Sequence, residues 1–249
     1  MRILGIDTAG PIASVALVDE GNLVTEEFCG RDRAAGQSSS PALRGNHAEI
    51  LLPLIQSVLA KSRCRFEDLA GVAVSIGPGS FTGLRIGLAT VKGLAYEARL
   101  PVVGVSTLLA TAACAKKFHG SICSMLDARK REVYAALFRS DGDHLTRLTD
   151  DAILSLQEAV ACVQSSRGTS RGEVVLVGDG AVVHESFLIE ALRPARVMAG
   201  GCRSVAAAVA ALADESFRRC LGEDLGALAP VYLRPSEAES KNREFDVTC

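Results

Sequence analysis

Residues Gly77-Pro78-Gly79-Ser80-Phe81-Thr82-Gly83-Leu84-Arg85-Ile86-Gly87 place four glycines at what reads as the start of a helix. The apolar run Val72-Ala73-Val74-Ser75-Ile76 before them has the composition of a buried strand. Gly77-Pro78-Gly79 breaks that strand, and Ser80 stands where a helix N-cap belongs. From Phe81 to Glu97 the apolar period is helical. A glycine inside a helix costs about 0.5–1 kcal/mol relative to alanine, so Gly83, Gly87 and Gly93 each need a compensating reason. Gly79, Gly83, Gly87 and Thr90 fall on one helical face. Bare backbone on that face lets a second backbone approach closely, either from inside the fold or from a partner chain.

The chain has 249 residues, enough for one large domain or two small ones. Its formal net charge of -2 provides no overall basic field, which argues against nucleic acid held mainly through phosphates. Eight cysteines include no C-x-x-C pair, and Cys114, Cys162 and Cys220 fall in apolar helical contexts. Reduced thiols in a cytoplasmic protein are the expectation, rather than zinc or a disulfide framework. Asp7 interrupts the apolar N-terminal stretch, so no secretory leader is expected there. The run from Val205 to Ala213 is too short to span a bilayer.

Along the chain, strands are expected at 2–7, 12–19 and 22–28, the last two joined by the turn Asp19-Glu20-Gly21-Asn22. A polar loop over 31–45 is expected to be mobile. Asn46 is the expected cap of a helix that begins at His47 and runs to about Cys64. After strand 72–76 and the glycine-bearing helix come a short strand at 101–104 and a helix from Ser106 to about Lys117. The pattern then restarts. Strands at 122–126, 132–138 and 145–148 precede a helix at 155–164, a strand at 174–177 and helices at 181–191 and 204–219. The order of elements, more than any identity between the halves, indicates a duplicated βββαβα unit. Two such units resemble the two-lobed α/β architecture of actin, hexokinase and Hsp70 ATPase domains. The lobes are expected at 1–103 and 104–249.

In that architecture the first hairpin of each lobe cradles phosphate. Asp7-Thr8-Ala9-Gly10 stands at the first of these positions, an acid at a strand end beside a hydroxyl and a small-residue turn. The second has Asp127-Ala128-Arg129-Lys130-Arg131-Glu132, with no glycine to bring phosphate against backbone N–H groups. Its three basic residues read as a solvated tip or a partner contact. Gly178-Asp179-Gly180 resembles an adenosine-contacting turn. Asp7, Thr8, Asp127, Gly178 and Gly180 are therefore assigned to a vestigial nucleotide cleft. His47 has Leu51, not a second ligand, four residues on, and no metal site is expected. Ser80 lacks the flanking glycines of a nucleophile elbow.

Ile6-Asp7-Thr8, Ser14-Val15-Ala16-Leu17, His47-Ala48-Glu49-Ile50-Leu51-Leu52-Pro53, Gly77 to Gly87, Asp127-Ala128-Arg129 with Glu132-Val133-Tyr134, and Pro230-Val231-Tyr232-Leu233-Arg234 together resemble the TsaB (YeaZ) family of tRNA threonylcarbamoyladenosine synthesis. The resemblance implies an actin-like fold and kinship to TsaD, which transfers the threonylcarbamoyl group to adenosine 37 of tRNA. TsaD carries a metal-binding histidine pair four residues apart; the positions that match here hold Thr107 and Thr111. The resemblance thus implies a non-catalytic subunit that binds and activates a TsaD-like protein in a complex with a TsaE-like ATPase, and that forms a homodimer when alone. No cofactor is expected in this subunit, with ATP or ADP entering only in the complex, and no direct contact with nucleic acid or membrane is expected. The partner interface is expected on the glycine face, at Gly79, Gly83, Gly87 and Thr90, flanked by Phe81, Thr82, Leu84 and Arg85. On this reading Gly83→Leu or Gly87→Leu breaks the complex and leaves the monomer folded. The first alternative is an active kinase or ATPase of the same fold, with Asp7, Thr8 and the 178–180 turn as its site; the second, ranked below it, is direct tRNA binding by the Arg129-Lys130-Arg131 tip, with a steep salt dependence.

Overall fold

The computed structural model describes residues 1–30, 46–167, 172–198 and 205–234. The expected loop over 31–45 and the tail after Arg234 lie outside the described residues.

β1 (Arg2–Asp7), β2 (Ile12–Asp19) and β3 (Asn22–Gly30) form an antiparallel meander, with Asp7 opposite Ser14 and Arg2 opposite Asp19. α1 (His47–Ser62) follows, capped by Asn46 and Glu49 in a reciprocal capping box. β4 (Gly71–Gly77) pairs parallel to β1, α2 (Phe81–Ala98) crosses back, and β5 (Val102–Ser106) pairs parallel to β4. The sheet order is β3-β2-β1-β4-β5. Central β1 and β4 are buried on both faces, which is why they read as nearly continuous apolar runs.

α3 (Thr107–Ala113) leads into the second sheet. β6 (Gly120–Asp127) and β7 (Glu132–Ser140) form a hairpin, and both β8 (Leu145–Arg147) and β9 (Ala152–Ser155) pair with β7. After α4 (Leu156–Arg167) come β10 (Val174–Val177), α5 (Asp179–Val183), α6 (Glu185–Ala191) and β11 (Ala195–Val197). β10 and β11 run parallel to β6. Read from its other edge, β8-β7-β6-β10-β11 repeats the order of the first sheet once β9, which pairs separately with β7, is set aside. The duplication expected from element order is thus present in the topology.

The last helix, α7 (Ala206–Arg218), departs from the simple division at 103/104. Its Val209, Ala210, Ala213 and Phe217 pack on Ile3, Ala73, Val103 and Val105 of the first sheet. Gly5 makes this approach possible, because a Cβ there would overlap the Ala206 carbonyl oxygen. α3 does the reverse. It leaves the first sheet and buries Leu108 and Ala112 against Ile122, Phe138 and Val177 of the second. On the remaining faces, α1 and α2 cover Leu4, Ile6, Val15 and Val74, while α4, α5 and α6 cover Met125, Val133, Leu137 and Leu176.

Candidate functional site

The turn after β1 is closed on itself and on α2. Asp7 is 3% exposed; its Oδ1 accepts a hydrogen bond from Ser75 Oγ at 2.5 Å, and one from the Ala9 amide at 3.3 Å. Burial pushes this carboxyl above its ordinary pKa, against the lowering effect of those two hydrogen bonds. Thr8 is fully buried and its hydroxyl donates to the Gly83 carbonyl at 2.8 Å. The Ser80 amide donates to the Ala9 carbonyl at 2.7 Å, and Ser80 Oγ caps the helix by accepting from the Gly83 amide at 3.2 Å. His47 lies half-buried at the start of α1, where burial lowers its pKa against the raising effect of a hydrogen bond to the Pro11 backbone.

The glycine face of α2, expected to lie open to a partner, is instead covered by its own lobe. A Cβ on Gly83 would run into the Thr8 carbonyl oxygen, one on Gly87 into Thr8 Oγ1, and one on Gly79 would lie 2.6 Å from the Ala9 carbonyl oxygen. Gly79 and Gly83 let the turn's backbone come up against them, and Gly87 leaves room for the Thr8 side chain. Leu84 is also buried, and Thr90 is half-buried. The expectation that Gly83→Leu leaves the monomer folded is overturned for the same reason: the new side chain would push against main chain of its own lobe.

The solvent face of α2 carries Thr82, Arg85, Ala89, Gly93 and Tyr96, with Tyr96 78% exposed. A Cβ on Gly93 would meet nothing within 4 Å. Phe81 and Arg85, at the edge of this face, join Tyr232. The Phe81 and Tyr232 rings stack with centroids 4.6 Å apart, the Arg85 guanidinium lies 3.8 Å from the Phe81 centroid, and Arg85 Nε donates to Tyr232 Oη at 2.9 Å. Ala89, Gly93 and Tyr96 share helical spacing with Arg85, so the sequence held a signal for this face. It held none for Tyr232, which reaches Phe81 only through the tertiary fold.

The C-terminal strap continues from Tyr232 to the second lobe. The Val231 amide donates to the Ile76 carbonyl at 2.7 Å, and Arg234 binds Glu132 and, at 3.5 Å, the Ala128 carbonyl. That hairpin is tight: the Ala128 amide donates to the Glu132 carbonyl at 3.0 Å and the Arg129 amide to Asp127 Oδ1 at 2.9 Å. Arg129, Lys130 and Arg131 have φ of 62°, 53° and 62°. The left-handed region costs an L-residue roughly 1–2 kcal/mol, and glycine or asparagine is the usual occupant.

Gly178 and Gly180 are absorbed by packing. A Cβ on Gly178 would strike the Met125 carbonyl oxygen, and one on Gly180 would lie 2.7 Å from the Leu126 carbonyl carbon. Asp179 Oδ1 accepts from the Asp127 amide at 3.2 Å. The turn thus seats α5 on β6. Thr107 and Thr111 are buried on α3, and Thr107 Oγ1 accepts from the Gly77 amide at 3.2 Å. Two hydroxyls do not fit a transition metal that prefers imidazole. Among the described residues, no group of three or more His, Cys, Asp or Glu is placed to hold a metal ion. Nor is any helix there long and apolar enough to cross a membrane. Among the described residues, no disulfide joins Cys64, Cys114, Cys123, Cys162 or Cys220.

A duplicated sheet of this order, with the first phosphate turn filled by its own side chains, defines a two-lobed actin-like protein. The family model for tRNA N6-adenosine threonylcarbamoyltransferase, TsaD, matches residues 42–240. The tRNA threonylcarbamoyladenosine biosynthesis protein TsaB of Escherichia coli is 39% identical over 144 residues, which span 57% of this chain and 56% of that protein. The TsaB protein of Bacillus subtilis is 28% identical over 97% of each chain. The structure of YeaZ from Pseudomonas aeruginosa superposes with a TM-score of 0.71 at 24% identity, covering 93% of this chain and 99% of that one. The chain belongs to the TsaB (YeaZ) family, whose role is in tRNA threonylcarbamoyladenosine biosynthesis.

Proposed function

We propose that this chain is a non-catalytic subunit of the complex that forms N6-threonylcarbamoyladenosine at adenosine 37 of tRNA, and that it binds and activates a TsaD-like catalytic subunit in the cytoplasm. The observation that carries this reading is the closed first turn. An actin-like kinase or ATPase needs its strand-end acid free to hold a metal-bound phosphate, and here Asp7 is buried against Ser75 while Thr8 is bonded to Gly83. The second hairpin has no glycine, and the 178–180 turn is filled by β6.

The docking surface is the solvent face of α2, continuous with the Phe81–Arg85–Tyr232 cluster. Small residues at Ala89 and Gly93 allow close approach, while aromatic and arginine side chains around them supply the buried area typical of binding hot spots. The same face serves a homodimer when the TsaD-like partner is absent. A TsaE-like ATPase joins the complex, and nucleotide enters only there.

The experiment is reconstitution of tRNA modification from the purified proteins, with and without this chain, alongside calorimetry of the chain with Mg-ATP. The expected result is modification only when chain and TsaD-like protein are both present, and no nucleotide binding by the chain alone. Turnover of ATP by the isolated chain favours the kinase reading instead.

A further inference from the structure

The β6–β7 hairpin tip has no role in the docking surface on α2. Its three residues Arg129, Lys130 and Arg131 are consecutive cations, all solvent-exposed and all in the left-handed backbone region that L-residues avoid. None of the three forms an ion pair with another described residue. The acids that flank them are already engaged. Glu132 is paired with Arg234, and Asp127 Oδ1 accepts from the Arg129 amide. Glu132 is offset by Arg234, while the Asp127 carboxylate keeps its charge against one of the three cations, so the tip stays net positive. Ladder hydrogen bonds on both sides and the Arg234 strap hold it in place.

A tight turn that needs left-handed residues but carries arginine and lysine instead of glycine or asparagine trades ease of folding for three positive charges at one tip. A net positive cluster of exposed cations fits a chain of phosphates, where contacts set position and orientation rather than sequence preference. We propose that this tip binds the phosphodiester backbone of RNA. The inference rests on the functional reading above for its choice of RNA as the polyanion. Overall net charge argues only against a protein-wide basic field and does not bear on three localised charges.

The probe is an unmodified tRNA transcript titrated into the isolated full-length chain while anisotropy is recorded. Three phosphate contacts predict a slope of about -2.1 to -2.7 for log K against log salt, so affinity falls about 20- to 40-fold between roughly 50 and 200 mM salt. The triple variant Arg129→Gln, Lys130→Gln, Arg131→Gln is expected to lose that slope and at least about tenfold in affinity at the lower salt. The triple variant with glycine at all three positions removes the same charges and eases the turn, and is expected to lose RNA equally. Absence of tRNA binding by the parent chain, or an unchanged slope in either variant, overturns the proposal. So does retained tRNA affinity with loss of the TsaD-like partner in a pull-down, because the tip would then be a protein contact. Failure of the parent chain to co-purify with the TsaD-like protein counts against the functional reading and is scored separately from the RNA titration.

Discussion

The Thr8 hydroxyl donates to the carbonyl of Gly83 at 2.8 Å, and Gly83 has no side chain in the place where the Thr8 carbonyl oxygen lies. Each residue fixes the other. The helix supplies an acceptor for a fully buried hydroxyl, and the strand turn occupies the space the glycine leaves. Gly83→Ala is therefore expected to destabilise the protein by about 1–3 kcal/mol or more through forced displacement of main chain. For a chain of this length that is several degrees of melting temperature. Thermal denaturation followed by circular dichroism measures it, and an unchanged melt would mean that α2 moves away from the turn without cost.

Gly93 lies on the same helix with nothing near its missing Cβ. Gly93→Ala is expected to raise stability by about 0.5–1 kcal/mol, because the folded state gains helix propensity and meets no obstacle. Ala89→Arg, one turn earlier on the same exposed face, is expected to leave the melt unaltered and to abolish co-purification with the TsaD-like protein. A folded Ala89→Arg variant that still binds its partner at full strength would move the docking surface elsewhere.

Much of this was legible in the sequence, and what was missed shares a physical cause. Ser80 and Asn46 cap α2 and α1 as their residue types indicate, because capping is a local event. The glycine face was also legible, but its occupant was not. Whether bare backbone meets its own strand turn or a second chain is decided by tertiary structure. The packing of α7 on the first sheet is equally non-local; its one trace was Gly5 in the middle of an apolar strand. β9 and β11 went unread because runs of four and three residues carry too little periodicity. The helix expected over 181–191 is broken at His184, where φ is -112°.

Asp7 sets a pH dependence of definite sign. Its carboxyl titrates above its ordinary value in the folded state because it is buried. As pH rises, the unfolded chain therefore releases this proton first, and folding stability falls from about pH 4 upward through the folded-state pKa. Asp7→Asn removes that loss while keeping an oxygen that accepts from Ser75 and Ala9. The variant is expected to gain stability over the parent chain as pH is raised from acid to neutral, and to support tRNA modification within about twofold. Melting curves across pH test the first expectation and the reconstituted assay the second. Loss of modification by a folded variant would return Asp7 to a catalytic role.

Arg234 and Glu132 close the strap that runs from α2 to the second hairpin, and both are about one-third exposed, at 32% and 35%. A pair this wet contributes on the order of 0.5–1 kcal/mol. Its position gives it leverage beyond that figure, because Arg234 also reaches the Ala128 carbonyl beneath the three left-handed tip residues. Arg234→Ala and Glu132→Ala are each expected to lower stability slightly and to accelerate hydrogen exchange at the Ala128 and Glu132 amides, which close the turn. The double variant should cost less than the sum of the two, with the difference equal to the pair's coupling energy. Strict additivity, together with unchanged exchange at the tip, would show that the strap lies on the hairpin without holding it.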